Sequence, residues 1–299
     1  MIVVIGSINM DLIGTTERLP APGETVSGSD FTTAPGGKGA NQALAARRAG
    51  AAVKMVGATG TDAFAEDALA LLKDAGANLE SVQRCEGATG IALILVDPDG
   101  ENVIAVIPGA NGKVSAANAS DAIAAMNPGD TLLLQLEIPE TSVRAALEAA
   151  REKGVTSILN IAPLTEAVGR LAPLADIVIA NETEFARLSG QPVETLDQVR
   201  TELETLHAKT GQCVIVTLGG DGVLYARDGN IDHVPALSIK PVDTVGAGDT
   251  FCGYLAEGLD SGLEFSEAVR RAATAGALAC LKPGAQPSIP LSADVDKRL

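Results

Sequence analysis

Residues 131–160 read TLLLQLEIPETSVRAALEAAREKGVTSILN. Two apolar runs, Thr131–Leu136 and Thr156–Leu159, flank a segment of helical period, Ser142–Lys153. A run that is apolar without alternation suits a strand covered on both faces, and an intervening helix is the connection that parallel neighbours require. Working outward, the same unit recurs. Apolar runs bounded by turn residues fall at Ile2–Ile5, Val53–Val56, Ile177–Ala180 and Val214–Thr217, with helical segments at Asn41–Ala49, Ala65–Ala75 and Leu196–Lys209. Repeated β–α–β units predict an α/β fold built on a doubly wound, mostly parallel sheet flanked by helices.

Two stretches break the rhythm, about 12–33 and 87–107. In the second, alternating Ile91, Leu93 and Leu95 meet the turn Asp97-Pro98-Asp99-Gly100. Both read as antiparallel strands forming a separate small β-sheet, a lid or a dimer surface. No Pro/Ser-rich or like-charged run separates the two ends, so residues 1–299 are expected to form one domain with the lid as insertions. The Ala-rich stretch Ser266–Leu281 reads as a helix ending at Lys282-Pro283-Gly284.

At 299 residues and 46% hydrophobic, the chain buries a large core, which excludes overall disorder. The formal net charge of −16 opposes a phosphate backbone, so nucleic acid is not an expected partner. ATP remains compatible, because backbone N–H groups, helix N-termini and a divalent cation supply local positive field. Cys85, Cys213, Cys252 and Cys280 are widely spaced without a C-x-x-C pair, which favours buried free thiols over a disulfide or metal set. The chain opens on an apolar strand without a basic leader, and no apolar run approaches the ~20 residues that span a bilayer. A cytoplasmic protein without a membrane partner is expected.

The strongest motif is Asp243-Thr244-Val245-Gly246-Ala247-Gly248-Asp249, leading into the helical run Cys252–Gly258. Consecutive small residues at a helix start leave N–H groups uncovered, fit to hold a phosphate, and Asp249 would sit in the first turn beside that anion hole. An ordinary acidic N-terminal turn is the bland alternative. Pro35-Gly36-Gly37-Lys38-Gly39-Ala40-Asn41-Gln42 also precedes a helix. Lys38 and Asn41 there offer donors suited to sugar hydroxyls, against a flexible turn with a solvated lysine.

Asn181-Glu182-Thr183-Glu184 follows a strand and opens a helix; Glu184 could act through water on Mg²⁺ or merely cap. Thr217-Leu218-Gly219-Gly220-Asp221-Gly222 admits a nucleotide or a plain hairpin. Ligands of open α/β sheets bind beyond the carboxyl ends of the strands, where Asn9, Asp11, Glu137, Asn160, Asn181, Glu184 and Thr217 follow the apolar runs. His207 and His233 look structural. A Walker A loop fails because Gly39 follows Lys38, a dinucleotide fingerprint fails at Phe251, and no serine has the hydrolase glycine spacing.

Together these motifs, with Gly6-Ser7-Ile8-Asn9-Met10-Asp11, Gly109-Ala110-Asn111, Gln135-Leu136-Glu137 and Gly284-Ala285-Gln286-Pro287-Ser288, resemble the ribokinase/PfkB family of carbohydrate kinases nearly end to end. The resemblance implies ATP-dependent phosphorylation of the primary 5-hydroxyl of D-ribose, with Asp249 as base and the Gly246, Ala247 and Gly248 backbone as anion hole. It implies a sugar site of Asn9, Asp11, Gly37, Lys38, Gly39, Asn41 and Glu137, with Asp249 also contacting the acceptor hydroxyl. The implied ATP site comprises Asn181, Thr217, Gly219, Gly220, Gly222, Gly248 and Ala273. Glu184 would organise Mg²⁺, and K⁺ would rest near Asp243, Val245, Ala279, Lys282, Gly284 and Ser288.

The family fold carries a small β lid that commonly pairs with a second subunit's lid, so a homodimer is expected. Ile161 stands where such kinases often have a second proline, and Ala273 where a larger polar residue is common. Relatives acting on deoxyribose, a ketohexose or a nucleoside are the alternatives within the family. A non-catalytic sugar sensor is the alternative of another class, and a nicotinamide dehydrogenase on a similar sheet a third.

Overall fold

The computed structural model describes all 299 residues. Its strands are β1 (Ile2–Ile5), β2 (Asn9–Thr16), β3 (Gly28–Gly36), β4 (Val53–Thr59), β5 (Asn78–Arg84), β6 (Gly90–Val96), β7 (Asn102–Ile107), β8 (Thr131–Leu134), β9 (Thr156–Asn160), β10 (Ile177–Asn181), β11 (Cys213–Thr217), β12 (Val223–Arg227) and β13 (Asn230–Val234). The first six helices are α1 (Lys38–Ala49), α2 (Phe64–Asp67), α3 (Ala70–Asp74), α4 (Ala116–Ala124), α5 (Glu140–Lys153) and α6 (Val168–Leu171). The rest are α7 (Glu182–Ser189), α8 (Leu196–Thr210), α9 (Ala247–Asp260), α10 (Phe265–Ala279), α11 (Ala285–Ser288) and α12 (Ser292–Asp296).

Nine strands form the main sheet in the order β13-β12-β11-β10-β9-β8-β1-β4-β5. From β11 to β5 all neighbours are parallel, and β12 and β13 add an antiparallel edge. Alternate residues of each strand feed opposite cores: Ile2 and Val4 pack with α1, α9 and α10, while Val3 and Ile5 pack with α4, α5, α7 and α8. This covering of both faces is why the parallel strands read as unbroken apolar runs. Each fully buried Leu of the β8 run contributes about 2 kcal/mol relative to exposure. No helix is long and apolar enough to cross a membrane, and all four cysteines are free thiols.

The segment Ala65–Ala75 is not one helix. Leu69, at φ −101° and ψ −8°, opens the turn between α2 and α3. The apolar run after Gly129 ends as a strand at Leu134, leaving Gln135 and Leu136 in the following turn.

The lid is a second sheet of four strands, β3-β2-β6-β7. Its two outer pairs are antiparallel, as the turn signals predict, but the central pair β2–β6 is parallel. The sheet also starts earlier and ends later than expected, at Asn9 and Gly36. Asn9 and Asp11, which follow β1 as expected, therefore sit in β2 at the base of the lid.

Candidate active site

Chain order reverses beside β1: β4 and β5 lie on one side, β8 to β11 on the other. In an open α/β sheet the crevice beyond the carboxyl ends at such a reversal is where ligands bind. Here it receives the ends of β1 and β8, the start of α1 and the base of the lid. Gly39 abuts the end of β1 so closely that a Cβ on it would lie 2.6 Å from the Gly6 carbonyl carbon, which demands glycine at that close approach.

The contact builds a tight polar ring. The Ser7 hydroxyl donates to Glu137 Oε2 at 2.5 Å, the Lys38 amide donates to the same oxygen at 3.1 Å, and the Gly39 amide donates to Ser7 Oγ at 3.2 Å. Asn9 Oδ1 accepts from Asn111 Nδ2 at 2.7 Å, and Asn111 is itself held by the backbone of Ile8. Asp11 is buried, and that burial, reinforced by the Glu137 and Asp249 carboxylates, pushes its carboxyl up to about 7. Lys38 moves upward as well: Asp249 is the largest cause, burial opposes it, and Glu137 and Glu184 add to it. One ammonium thus faces several carboxylates, a donor-poor pocket suited to hydroxyl groups that donate.

On the other side of the crevice lies the start of α9. Its cap residue Gly246 has φ 79°, and a Cβ there would lie 2.9 Å from Ala285 Cα. The amides of Gly246, Gly248 and Asp249 donate to nothing within the chain, whereas the Ala247 amide reaches Thr244 O at 3.3 Å. Of the expected Gly246–Gly248 trio, two amides are thus uncovered and the third is engaged by the turn that starts α9, while the Asp249 amide is uncovered as well. Asp249 is buried in the first turn; Oδ2 accepts from Asn41 Nδ2 and Oδ1 from Gln42 Nε2, each at 2.9 Å.

Two adjoining cavities flank Asp249. One of ≈410 Å³ brings together Lys38, Asn160, Asn181, Glu184, Gly246 and Asp249. The other, of ≈470 Å³, is lined by Thr217, Gly219, Gly220, Gly222, Gly248 and Ala273, along with apolar side chains; Thr217, Gly219, Thr244 and Gly248 border both. The capping alternative for Asn181–Glu184 is realised: Asn181 Oδ1 accepts from the Glu184 amide at 2.8 Å and Glu184 Oε2 from the Asn181 amide at 2.9 Å. Capping does not remove Glu184 from the site. It is buried, and burial pushes its carboxyl up while Lys38 and the Asn181 amide pull it down. The hairpin alternative for Thr217–Gly222 is also realised, since β11 and β12 pair antiparallel across it.

Below this, Asp243 Oδ1 accepts from the Val245 amide at 2.9 Å and Oδ2 from the Gly284 amide at 2.7 Å. The loop is closed by the Cys280 carbonyl, which accepts from Val242 and Asp243. Ala279 ends α10, Lys282 lies exposed in the following turn, and Ser288 is buried in α11. His207 and His233 lie outside the crevice, satisfied by Gln212 O and Asp221 O. A further cavity of ≈600 Å³ at the amino ends of β9 to β11, lined by Asp176, Gln212, Arg227 and Phe265, holds none of the predicted site residues.

Sequence reasoning gave no role in the site to Ser7, Gln42, Asn111, Gln135 or Thr244, whereas Asn160, expected at the carboxyl end of its strand, does line the crevice. A signal existed for some. Gln42 sits in an Ala-rich helix and Gln135 ends an apolar run, and buried amides in apolar surroundings need partners.

A free amide cluster at a helix start, beside a buried carboxylate and a polar crevice, has the parts that phosphoryl transfer to a hydroxyl uses. The model of the pfkB family carbohydrate kinases matches residues 1–291, and the chain belongs to that family. It is 38% identical to a ribokinase of Lactococcus lactis subsp. lactis, over 99% of this chain and 96% of the relative. It is 35% identical to a deoxyribokinase of Salmonella typhi, over 97% and 95%. Among solved structures it is similar to the Arabidopsis thaliana ribokinase complexed with ribose and ATP, with TM-score 0.87, 34% identity and coverage of 99% and 97%. It is also similar to a Thermotoga maritima ribokinase, with TM-score 0.88, 31% identity and coverage of 99% and 98%.

Proposed function

We propose that the chain transfers the γ-phosphoryl group of ATP to the primary 5-hydroxyl of D-ribose. The carrying observation is Asp249, buried in the first turn of α9 between the sugar-side donor Asn41 and the uncovered amides of Gly246, Gly248 and its own backbone. Ribose as acceptor is supported by full-length relatives named ribokinase.

Asn9, Asp11, Lys38, Asn41 and Glu137 hold the sugar hydroxyls, with Gly37 and Gly39 letting the backbone approach. Asn41 Oδ1 is buried without a partner, an acceptor that a sugar hydroxyl satisfies. As the sugar oxygen bonds to the γ-phosphorus, the bond to the β–γ bridging oxygen breaks, ADP leaves and the hydroxyl proton passes to Asp249. The amides at the head of α9 stabilise the phosphoryl oxygens, and Asn181, Thr217, Gly219, Gly220, Gly222, Gly248 and Ala273 line the nucleotide's path.

Glu184, buried yet lining the crevice with Lys38 and Asp249, offers one carboxylate that would hold Mg²⁺ through water, beside the ATP phosphates. Bound there, the ion would offset charge on the β and γ phosphates. The loop of Asp243, Val245, Ala279, Lys282, Gly284 and Ser288 offers a carboxylate, a hydroxyl and carbonyls at the negative end of α10, an all-oxygen set that fits K⁺. The lid carries Phe31, Leu93, Val103 and Ile107 exposed, an apolar surface that supports a lid-to-lid homodimer. The place of action in this reading is the cytoplasm, where ATP is supplied.

The test is sugar-dependent ADP release from Mg-ATP with K⁺, across ribose, deoxyribose, fructose and several nucleosides. Highest kcat/KM with ribose is expected. A deoxyribose preference is the second reading, favoured by the similarity to a deoxyribokinase; absence of turnover with every acceptor would sink the kinase.

A further inference from the structure

Gln42 is fully buried on α1, and its carboxamide is held by three side chains, from the turn after β8, the end of β9 and the first turn of α9. Its Nε2 donates to Asp249 Oδ1 at 2.9 Å and to Asn160 Oδ1 at 3.1 Å, and its Oε1 accepts from Gln135 Nε2 at 2.6 Å. The direction of this chain is not free. Asn160 Nδ2 lies 3.3 Å from the Ile179 carbonyl of β10, and a backbone carbonyl can only accept. Asn160 must therefore turn its amide to Ile179 and its oxygen to Gln42. Gln42 must then present its NH₂ group, which leaves its second hydrogen for Asp249.

We propose that Gln42 is a positioning residue whose amide, oriented from the β10 backbone through Asn160, makes Asp249 Oδ1 a fixed acceptor and leaves Oδ2 to take the sugar proton. The inference rests on the kinase reading above. Asn41 holds Oδ2 from one side, and Oδ2 keeps a lone pair for the hydroxyl, whereas a proton on Oδ1 would face a donor that cannot turn away. The proton leaving the sugar oxygen thus has one destination while the phosphoryl group transfers. The carboxylate plane is held by two donors from consecutive residues of one helix, so Asp249 needs no reorientation as substrate arrives.

Two substitutions test this, with the acceptor sugar the wild type uses best. Gln42→Met keeps length and burial but removes the donor; Gln42→Glu keeps length and replaces the donor by a carboxyl. The other charged groups facing Asp249 are Lys38 of α1, Asp11 of β2 and Glu184 of α7, with Glu137 beyond β8 facing Asp11 and Lys38, and both variants leave them unchanged. Losing a hydrogen bond to a charged group predicts a kcat fall of roughly 10- to 100-fold, in Gln42→Met across the pH range and in Gln42→Glu at the alkaline end of the profile, where the introduced carboxyl is ionised. Sugar and nucleotide dissociation constants by calorimetry are expected to move less than about threefold, since uniform binding is untouched. As pH falls, the Gln42→Glu deficit shrinks, because the protonated carboxyl donates again, while the Gln42→Met deficit stays constant.

A merely structural role would lower thermal midpoint and kcat together in both variants, without recovery in acid. Gln42→Met with kcat within twofold of wild type would overturn the proposal, as would a pH-independent deficit in Gln42→Glu. Should Gln42→Met fail to fold, the pH profile of Gln42→Glu decides alone. A wild type preferring another sugar changes the substrate and leaves this inference standing; a wild type without turnover on any sugar removes both.

Discussion

Replacing Asp249 by Asn separates chemistry from binding in this site. The side chain keeps its shape and its place in the first turn of α9, where it meets two donors, Gln42 Nε2 at Oδ1 and Asn41 Nδ2 at Oδ2. Gln42 is held in its orientation, so the new amide must turn its oxygen to Gln42 and its NH₂ to Asn41. Asn41 can answer by rotating its own amide, because its Oδ1 is otherwise unpartnered. Net hydrogen bonding is conserved apart from the lost charge, and the folded chain should change in stability by only about 1 kcal/mol. Catalysis has no such escape, since an amide does not accept the hydroxyl proton. Loss of a positioned base raises the barrier by about 3 to 5 kcal/mol, a kcat reduction of roughly 10²- to 10⁴-fold. The assay is ADP release at saturating sugar and Mg-ATP, with sugar and nucleotide affinity measured by calorimetry on the same preparation. A kcat within tenfold of wild type, with binding intact, would refute the reasoning and take the base role from Asp249.

Asp11 titrates near 7 in the folded chain against an ordinary 3.8, so between those values the folded state holds a proton that the unfolded state has released. Stability therefore falls as pH rises through that window. Asp11→Asn without ligand is expected to melt higher than wild type at pH 8, with the difference closing toward pH 4; equal midpoints at pH 8 would contradict the burial argument. The lid rows Phe31–Gly14–Leu95–Val103 and Thr33–Leu12–Leu93–Ala105 lie side by side in register, on the face of β2 opposite Asp11. Leu93→Asp at the centre of that face should convert a dimer into a monomer at micromolar protein in light scattering, and a wild type that already scatters as a monomer would dispose of the lid-to-lid interface.

Most of the main sheet was legible because its causes are local. A strand buried on both faces is apolar at most positions, so the runs within β1, β4, β8, β10 and β11 announced themselves without reference to their partners. The start of α9 was legible for the same reason, since small residues and an acid at a helix N-terminus are contiguous in the chain. The lid was read only in part: the turn signals marked its antiparallel hairpins, but the parallel pairing of β2 with β6 joins segments about 75 residues apart, and no local signal encodes that register. Likewise Ser7, Asn111 and Gln135 are unremarkable polar residues until the fold places them against Glu137, Asn9 and Gln42. By itself the sequence determined the layers, the glycine-rich helix start and the carboxylate in its first turn, because periodicity and composition act over a few residues. Only the tertiary structure decided which donor meets each oxygen of Asp249, because that depends on Gln42, 207 positions away, on Asn41 beside it, and on a carbonyl of β10 that orients the whole chain of amides.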